Sequence, residues 1–143
     1  AINITNISEE NTFYINQAFL EKGKGIVNDR YYENFKEKKE QVTLINLEEI
    51  NNFNNQIKQN IDAKDFRRNI IVSGVDLNKF INKKIKINDV TLKIHEICQP
   101  CKYLQDRLKI PGLIKMLVNK SGVRAEVLIS GSLSVGDTIK IVK

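Results

Sequence analysis

The feature that most constrains this chain is the alternation of apolar residues in short runs broken by turns. Val90, Leu92 and Ile94 alternate with Thr91, Lys93 and His95, and Ile85 and Ile87 alternate with lysines. Val123, Ala125, Val127 and Ile129 alternate with Arg124 and Glu126. Period two sets each apolar group on one face of a strand. Ile2 and Ile4, with Ile7 behind them, read as a first strand, and Ser8–Thr12 as a turn. Gln41–Ile45 and Ile70–Val72 are further strands, and Ile139 and Ile141 close the chain. Turns are expected at Ser73–Asp76, Asn88–Asp89, Ser130–Gly131 and Gly136–Asp137. Phe13–Leu20 fits strand or helix, and Gly23–Arg30 reads as a glycine-containing loop with basic groups. Ile97 falls out of the alternation of its strand, which predicts a bulge or the strand's end.

Helical spacing is confined to a few places. Leu47, Ile50, Phe53 and Ile57 form an apolar stripe, predicting a core-covering helix over about 47–59. Asn46 and Glu49 before it resemble a capping box. One helical turn is expected over Asp76–Ile81, with Leu77 and Phe80 inward. Tyr103, Leu104 and Leu108 suggest another helix, ended by Pro111-Gly112, and Leu113–Val118 fits helix or strand. With 143 residues the chain suits one domain over 1–143. The fold class expected is mainly β, a barrel or sandwich with a few short helices. No clear βαβ unit stands out.

Composition narrows the function classes. The chain is 41% hydrophobic and 28% charged, with a net charge of +6. That charge permits an anionic partner without demanding one, since much of it lies in runs such as Lys36–Lys39 and Lys83–Lys86. No apolar run reaches the roughly 20 residues that span a bilayer. No aromatic platform interleaves with basic residues, so a nucleic-acid partner is not expected. No nucleophile elbow supports a Ser-His-Asp hydrolase. Two cysteines do not make a disulfide scaffold, and a reducing cytoplasm is the expected compartment.

Both cysteines lie in Cys98-Gln99-Pro100-Cys101, just after the only histidine, His95. A strand-like pattern leads in and a helix-like one leads out. Four readings compete: a dithiol redox pair, a structural zinc site using Cys98, Cys101 and His95, inert packing, and a single reactive or metal-ligating thiolate at Cys101. The thiolate is the reactive form of cysteine. Pro100 suits a helix entry, and Lys102 adds positive charge beside Cys101. Arg67 and Arg68, just before a strand, have the donor geometry to grip a phosphate or carboxylate.

Five pieces then occur in order: Gly-Lys-Gly-Ile-Val-Asn-Asp-Arg from Gly23, Gln-Val-Thr-Leu-Ile from Gln41, Arg-Arg-Asn-Ile-Ile-Val-Ser-Gly-Val-Asp-Leu from Arg67, Cys-Gln-Pro-Cys-Lys-Tyr-Leu from Cys98, and Ser-Gly-Val-Arg-Ala-Glu-Val-Leu-Ile-Ser-Gly from Ser121 with Val-Gly-Asp beyond. Together they resemble a MOSC domain, the C-terminal domain of molybdenum-cofactor sulfurases, also found alone in small bacterial proteins. The resemblance implies a MOSC-type β-barrel. It also implies binding of the molybdenum-pterin cofactor, or transport of sulfur as a persulfide for metal-sulfur site assembly. The family's Pro-Cys pair falls on Pro100-Cys101, so Cys101 takes the catalytic role and, with cofactor bound, that of molybdenum ligand. By the same matching, Arg67, Arg68 and Asn69 would line the site, with Lys24, Arg30 and Arg124 as further candidates for the cofactor phosphate. Implied partners are a sulfur donor such as a cysteine desulfurase, or a redox protein. The alternatives are a cofactor-dependent reductase of N-hydroxylated compounds with a separate electron donor, and a non-catalytic binding domain. Asn28 and Asn88 stand where the family often has glycine, and Asn tolerates the left-handed backbone such turns need.

Overall fold

The computed structural model describes the backbone of residues 2–4, 13–100 and 102–142, and the side chains of 14–100 and 104–142. Cys101, Ile7 and the expected turn at Ser8–Thr12 lie outside the described residues. The strands in chain order are β1 (Ile2–Ile4), β2 (Phe13–Ile15), β3 (Gln17–Glu21), β4 (Gly25–Ile26) and β5 (Val42–Asn46). Helix α1 (Leu47–Ile57) follows, then β6 (Ile70–Val72), β7 (Lys84–Ile87) and β8 (Val90–Ile97). Helices α2 (Lys102–Leu108) and α3 (Leu113–Met116) precede β9 (Val123–Ile129), β10 (Gly131–Ser134) and β11 (Ile139–Ile141). Short 3-10 turns include Ala63–Phe66 and Leu77–Phe80.

Eight strands form one sheet in the order β11-β7-β8-β9-β5-β6-β1-β2, and β10-β3-β4 form a second. The large sheet curls into a half-barrel. Its inner face and the small sheet share one core: Leu44, Leu92, Ile94, Val123 and Val127 from the large sheet, Ala18, Leu20, Ile26 and Leu133 from the small one. The mainly β, barrel-like expectation is met. Phe13–Leu20 resolves into strand, and the Gly23–Arg30 loop contains the short β4. Gly131 begins a strand rather than sitting in a turn. Asn28 and Asn88 adopt the positive φ expected of them, 73° and 52°.

One part of the sheet is built differently. β5 and β6 pair in parallel, with Leu44 opposite Ile70 and Ile45 opposite Ile71. Parallel neighbours need a crossover, and here it contains α1. The chain therefore does hold a βαβ unit, contrary to the expectation from its sequence. The unit was hidden because β6 is only three residues long and shows no alternation. Strands of this kind are buried on both faces and read as continuous apolar runs. Leu44 and Ile70 face the barrel interior, while Ile45 and Ile71 face a second core with Ile50, Phe53, Phe66, Leu104, Leu113 and Leu117. Phe53 meets Phe66 edge to face at 5.8 Å.

Helix α1 begins where its stripe predicts, but the capping box does not form. Asn46 makes no cap bond to the helix. Its side chain instead donates to the Val75 carbonyl and accepts from the Leu77 amide. Glu48 takes the Gly74 amide at 2.8 Å. The start of the helix is thus tied to the turn after β6, a long-range use that local pattern cannot reveal.

Candidate functional site

The site starts from a row across the sheet's outer face. Thr43 on β5 is directly opposite Arg124 on β9, and Arg124 is opposite Glu96 on β8. Their neighbours Leu44, Val123 and Ala125 point into the barrel, so the row points out. Directly opposed residues on one face stand within reach of each other. The Arg124 guanidinium lies 3.4 Å from the Glu96 carboxylate, whose second oxygen takes Lys39 at 3.1 Å.

β8 ends where Ile97 predicted. Its register against β9 shifts between Ile94 and Glu96, and the strand stops at Ile97. Cys98 follows, buried and pinned on both sides. Its amide donates to the Gly122 carbonyl at 2.8 Å, and the Ser121 hydroxyl donates to its carbonyl at 2.5 Å. Arg68 grips the same loop through Nε to the Ser121 carbonyl at 2.7 Å and Nη2 to the Ser121 hydroxyl at 3.3 Å. Gly122 is required here. Its φ is +101°, and a Cβ would stand 2.1 Å from the Leu44 carbonyl oxygen.

Together these residues line a cleft of about 180 Å³, walled by Tyr31, Glu40, Thr43, Arg68, Cys98 and Arg124. Arg124 keeps its charge firmly. Burial works against the guanidinium, but the neighbouring Cys98 side chain and the Glu96 and Glu40 carboxylates outweigh burial and raise its pKa.

The sequence candidates divide around this cleft. Arg68 and Arg124 line it. Asn69 lies behind it, buried, with its carboxamide oxygen accepting from the Thr43 amide at 3.0 Å and hydroxyl at 3.1 Å. It fixes the cleft's floor. Arg67 is buried with φ at 61° and is not among the lining residues. Its carbonyl accepts from Arg30 at 3.4 Å. Arg30 stacks 4.6 Å over Tyr31, a cleft wall. The Nε and Nη1 of Arg30 are buried and have no hydrogen-bond partner among the described residues. Lys24 lies elsewhere, bridging Glu21 and Glu33 at 3.2 Å each, and those two carboxylates raise its pKa. His95 bonds Glu126 at 2.9 Å and does not line the cleft. No three His, Cys, Asp or Glu side chains cluster to hold a metal among the described residues.

Tyr31, Glu40 and Thr43 are cleft residues that sequence reasoning did not assign to a site, and Cys98 was weighed only as a partner of Cys101 in a thiol pair or zinc site. Thr43 carried a signal, being the polar residue in the run Val42–Ile45, all of which is buried. Tyr31 and Glu40 carried none, because only folding brings residues 31–40 against the β8–β9 pair.

The fold and cleft define a class: a mainly β half-barrel with one βαβ unit and a guanidinium-walled cleft on its outer face. Within that class the chain belongs to the MOSC domain family, whose model matches residues 31–140. That family is associated with the molybdenum cofactor. No curated protein matches the chain. Among solved structures it is similar to the YuaD protein from Bacillus subtilis, at 19% identity and a TM-score of 0.80, covering 96% of this chain and 91% of that one. It is also similar to YiiM from Geobacillus stearothermophilus, at 16% identity and a TM-score of 0.80, covering 100% of this chain and 73% of that one. YiiM from Escherichia coli matches at 11% identity and a TM-score of 0.73, covering 99% and 68%.

Proposed function

We propose that this chain binds the molybdenum-pterin cofactor at the cleft, with Cys101 as the thiolate that ligates the metal or carries sulfur as a persulfide. The observation that carries this reading is the convergence of the Arg68 and Arg124 side chains on one cleft, beside the strand end that leads into Cys98-Gln99-Pro100-Cys101.

The donor set fits such a group. Guanidinium forks bind phosphate by paired, charge-assisted hydrogen bonds. Arg30, stacked on the Tyr31 ring, adds two buried donors without a partner among the described residues. A cleft of about 180 Å³ is smaller than the roughly 300–1,000 Å³ of a site that encloses a drug-sized ligand. It therefore suits the charged end of the cofactor rather than the whole. When bound, the cofactor supplies a redox-active metal that accepts soft sulfur ligands. Arg68 and Arg124 would orient it through its phosphate. Asn69 would keep Thr43 in place beneath, and Cys101 would supply the soft ligand or sulfur-bearing nucleophile.

The test is metal and pterin analysis of the protein purified from a host that makes the cofactor. Molybdenum and pterin are expected near one per chain, falling in Cys101→Ser. Protein without either would end the cofactor reading. The carrier reading requires a persulfide at Cys101 after exposure to a cysteine desulfurase and cysteine, read by mass spectrometry of the peptide.

A further inference from the structure

We propose that the outer face of β7, β8 and β11 is a docking surface for an acidic protein, held there by charge beside the cleft. The inference does not depend on what the cleft binds.

Four lysines make the face: Lys84, Lys86, Lys93 and Lys140. Ile85 and Ile87 of β7, and Leu92 and Ile94 of β8, point into the barrel core, so Lys84, Lys86 and Lys93 beside them point out. Lys140 of β11 is opposite Lys86 and shares its face. Lys84 is opposite Lys93. Lysines therefore stand directly across neighbouring strands, where side chains lie closest and like charges repel. Lys84, Lys86 and Lys140 are exposed. Among the described residues none of the four lysines has an ion pair. β7 and β11 offer no carboxylate. Those nearby on β8 and β9 are engaged: Glu126, opposite Lys93, bonds His95 at 2.9 Å, and Glu96 takes Lys39 and Arg124. A sheet face built for stability alone would set opposite signs across from each other.

The chemistry of the face selects the partner. β7, β8 and β11 carry no arginine, the cation that forks onto phosphate, and no Phe, Tyr or Trp on which a base could stack. The outward positions of β7 and β11 hold lysine alone, so they offer nothing apolar to enter a lipid layer. The face is also convex, since the sheet curls around its core, and a rod-shaped duplex meets a convex surface at few phosphates. A net charge of +6 opposes a second copy of this chain. Separate ammonium groups suit the carboxylates of an acidic protein, and charges of this kind steer encounter more than they add affinity. The complex is therefore expected to be transient and salt-sensitive. Its place follows from the register. Glu126, opposite Lys93, is two residues along β9 from Arg124 on the same outer face. β8 separates β7 from β9, so the β7 lysines start roughly 10 Å from the strand that carries Arg124. A protein docked on the lysines stands over the sheet next to the cleft.

Titration with fluorescent poly-L-glutamate, standing in for an acidic protein surface, tests the face on wild type and Lys84→Glu/Lys86→Glu. A control, Lys22→Glu/Lys115→Glu, makes the same charge change at exposed lysines elsewhere. The lysine-face pair is expected to weaken binding at least about tenfold and the control pair less than about threefold. Wild-type binding is expected to fall steeply with added salt. Each lysine-face substitution sets a carboxylate opposite a lysine, so the urea midpoint of that variant is expected at or above wild type, and its lost binding is not lost fold. Equal weakening by the two pairs would overturn the proposal, because net charge alone would then explain the binding. A DNA duplex or phosphatidylserine vesicles whose binding depends on Lys84 and Lys86 more than that of poly-L-glutamate does would overturn it in favour of nucleic acid or lipid. A lowered urea midpoint would overturn it too, by showing that the opposed lysines do not work against folding.

Discussion

The outer face of β5 carries two environments two residues apart. At Ile45 it is covered: α1 lays Ile50 and Phe53 over it, and Phe66, Leu113 and Leu117 complete an apolar core. At Thr43 it borders a cleft: Arg124, Arg68 and Tyr31 are among its walls, and no α-helix among the described residues lines it. The same strands thus support a region held by hydrocarbon burial and a region held by hydrogen bonds to a loop. The difference teaches where this fold keeps its stability and where it keeps its chemistry. Burial of large side chains contributes free energy without direction. The guanidinium contacts contribute direction, and those near solvent add little stability.

Substitutions in the two regions should therefore differ in cost. The largest effect is expected from Phe53→Ala, which empties a fully buried site and should cost about 3–5 kcal/mol in chemical denaturation. Gly122→Ala comes next, at about 3 kcal/mol, because its Cβ strikes the Leu44 carbonyl and its φ is strained. It is also expected to disturb Cys98, whose amide bonds the Gly122 carbonyl. Arg68→Ala should cost about 1–3 kcal/mol, since it removes charged donors from Ser121. Arg124→Ala should cost about 1 kcal/mol or less, as its side chain is over a third exposed. Equal losses for the two arginines would show that Arg68 does not brace the Ser121 loop more firmly than Arg124 braces its own neighbours.

The smallest effect is expected at Tyr14. Tyr14 bonds Asp62 and receives the Lys64 amide, anchoring the 3-10 turn that precedes Arg67 and Arg68. Burial first, and then the bond to Asp62, push the Tyr14 pKa up from 10.0 to about 12. A raised folded value means its contribution is complete below pH 10 and is lost as pH rises from 10 to about 12. The same bond holds Asp62 below the usual carboxylate range, so its contribution is lost in acid. Tyr14 is 43% exposed, so the loss should stay near 1 kcal/mol or less. Denaturation midpoints of wild type and Tyr14→Phe should converge across that alkaline window.

The covered region was legible in the sequence and most of the open one was not. The stripe Leu47, Ile50, Phe53, Ile57 announces a helix that needs an apolar partner. Strict alternation at Val90–Ile94 and Val123–Val127 gives the inner face of the barrel directly. The βαβ unit escaped because Ile70–Val72, buried on both faces, has no period to read. Arg68 could be singled out beside Arg67 and Asn69, but not the division of labour among the three. That division follows from one residue in the left-handed region at Arg67 and from pairings across the chain, Arg68 to Ser121 and Asn69 to Thr43. Cys98 was visible as half of a motif. Its place on the cleft depends on where β8 stops against β9, which no local pattern states.

The cofactor proposal stands or falls on whether the arginine-walled cleft holds the group. Molybdenum and pterin content of Arg68→Ala/Arg124→Ala, produced beside wild type in a host that makes the cofactor, tests it most directly. Molecules of the variant that pass a folding check by denaturation should retain less than a tenth of the wild-type cofactor, a loss of at least about 1.4 kcal/mol. A folded double variant loaded as fully as wild type would contradict the claim.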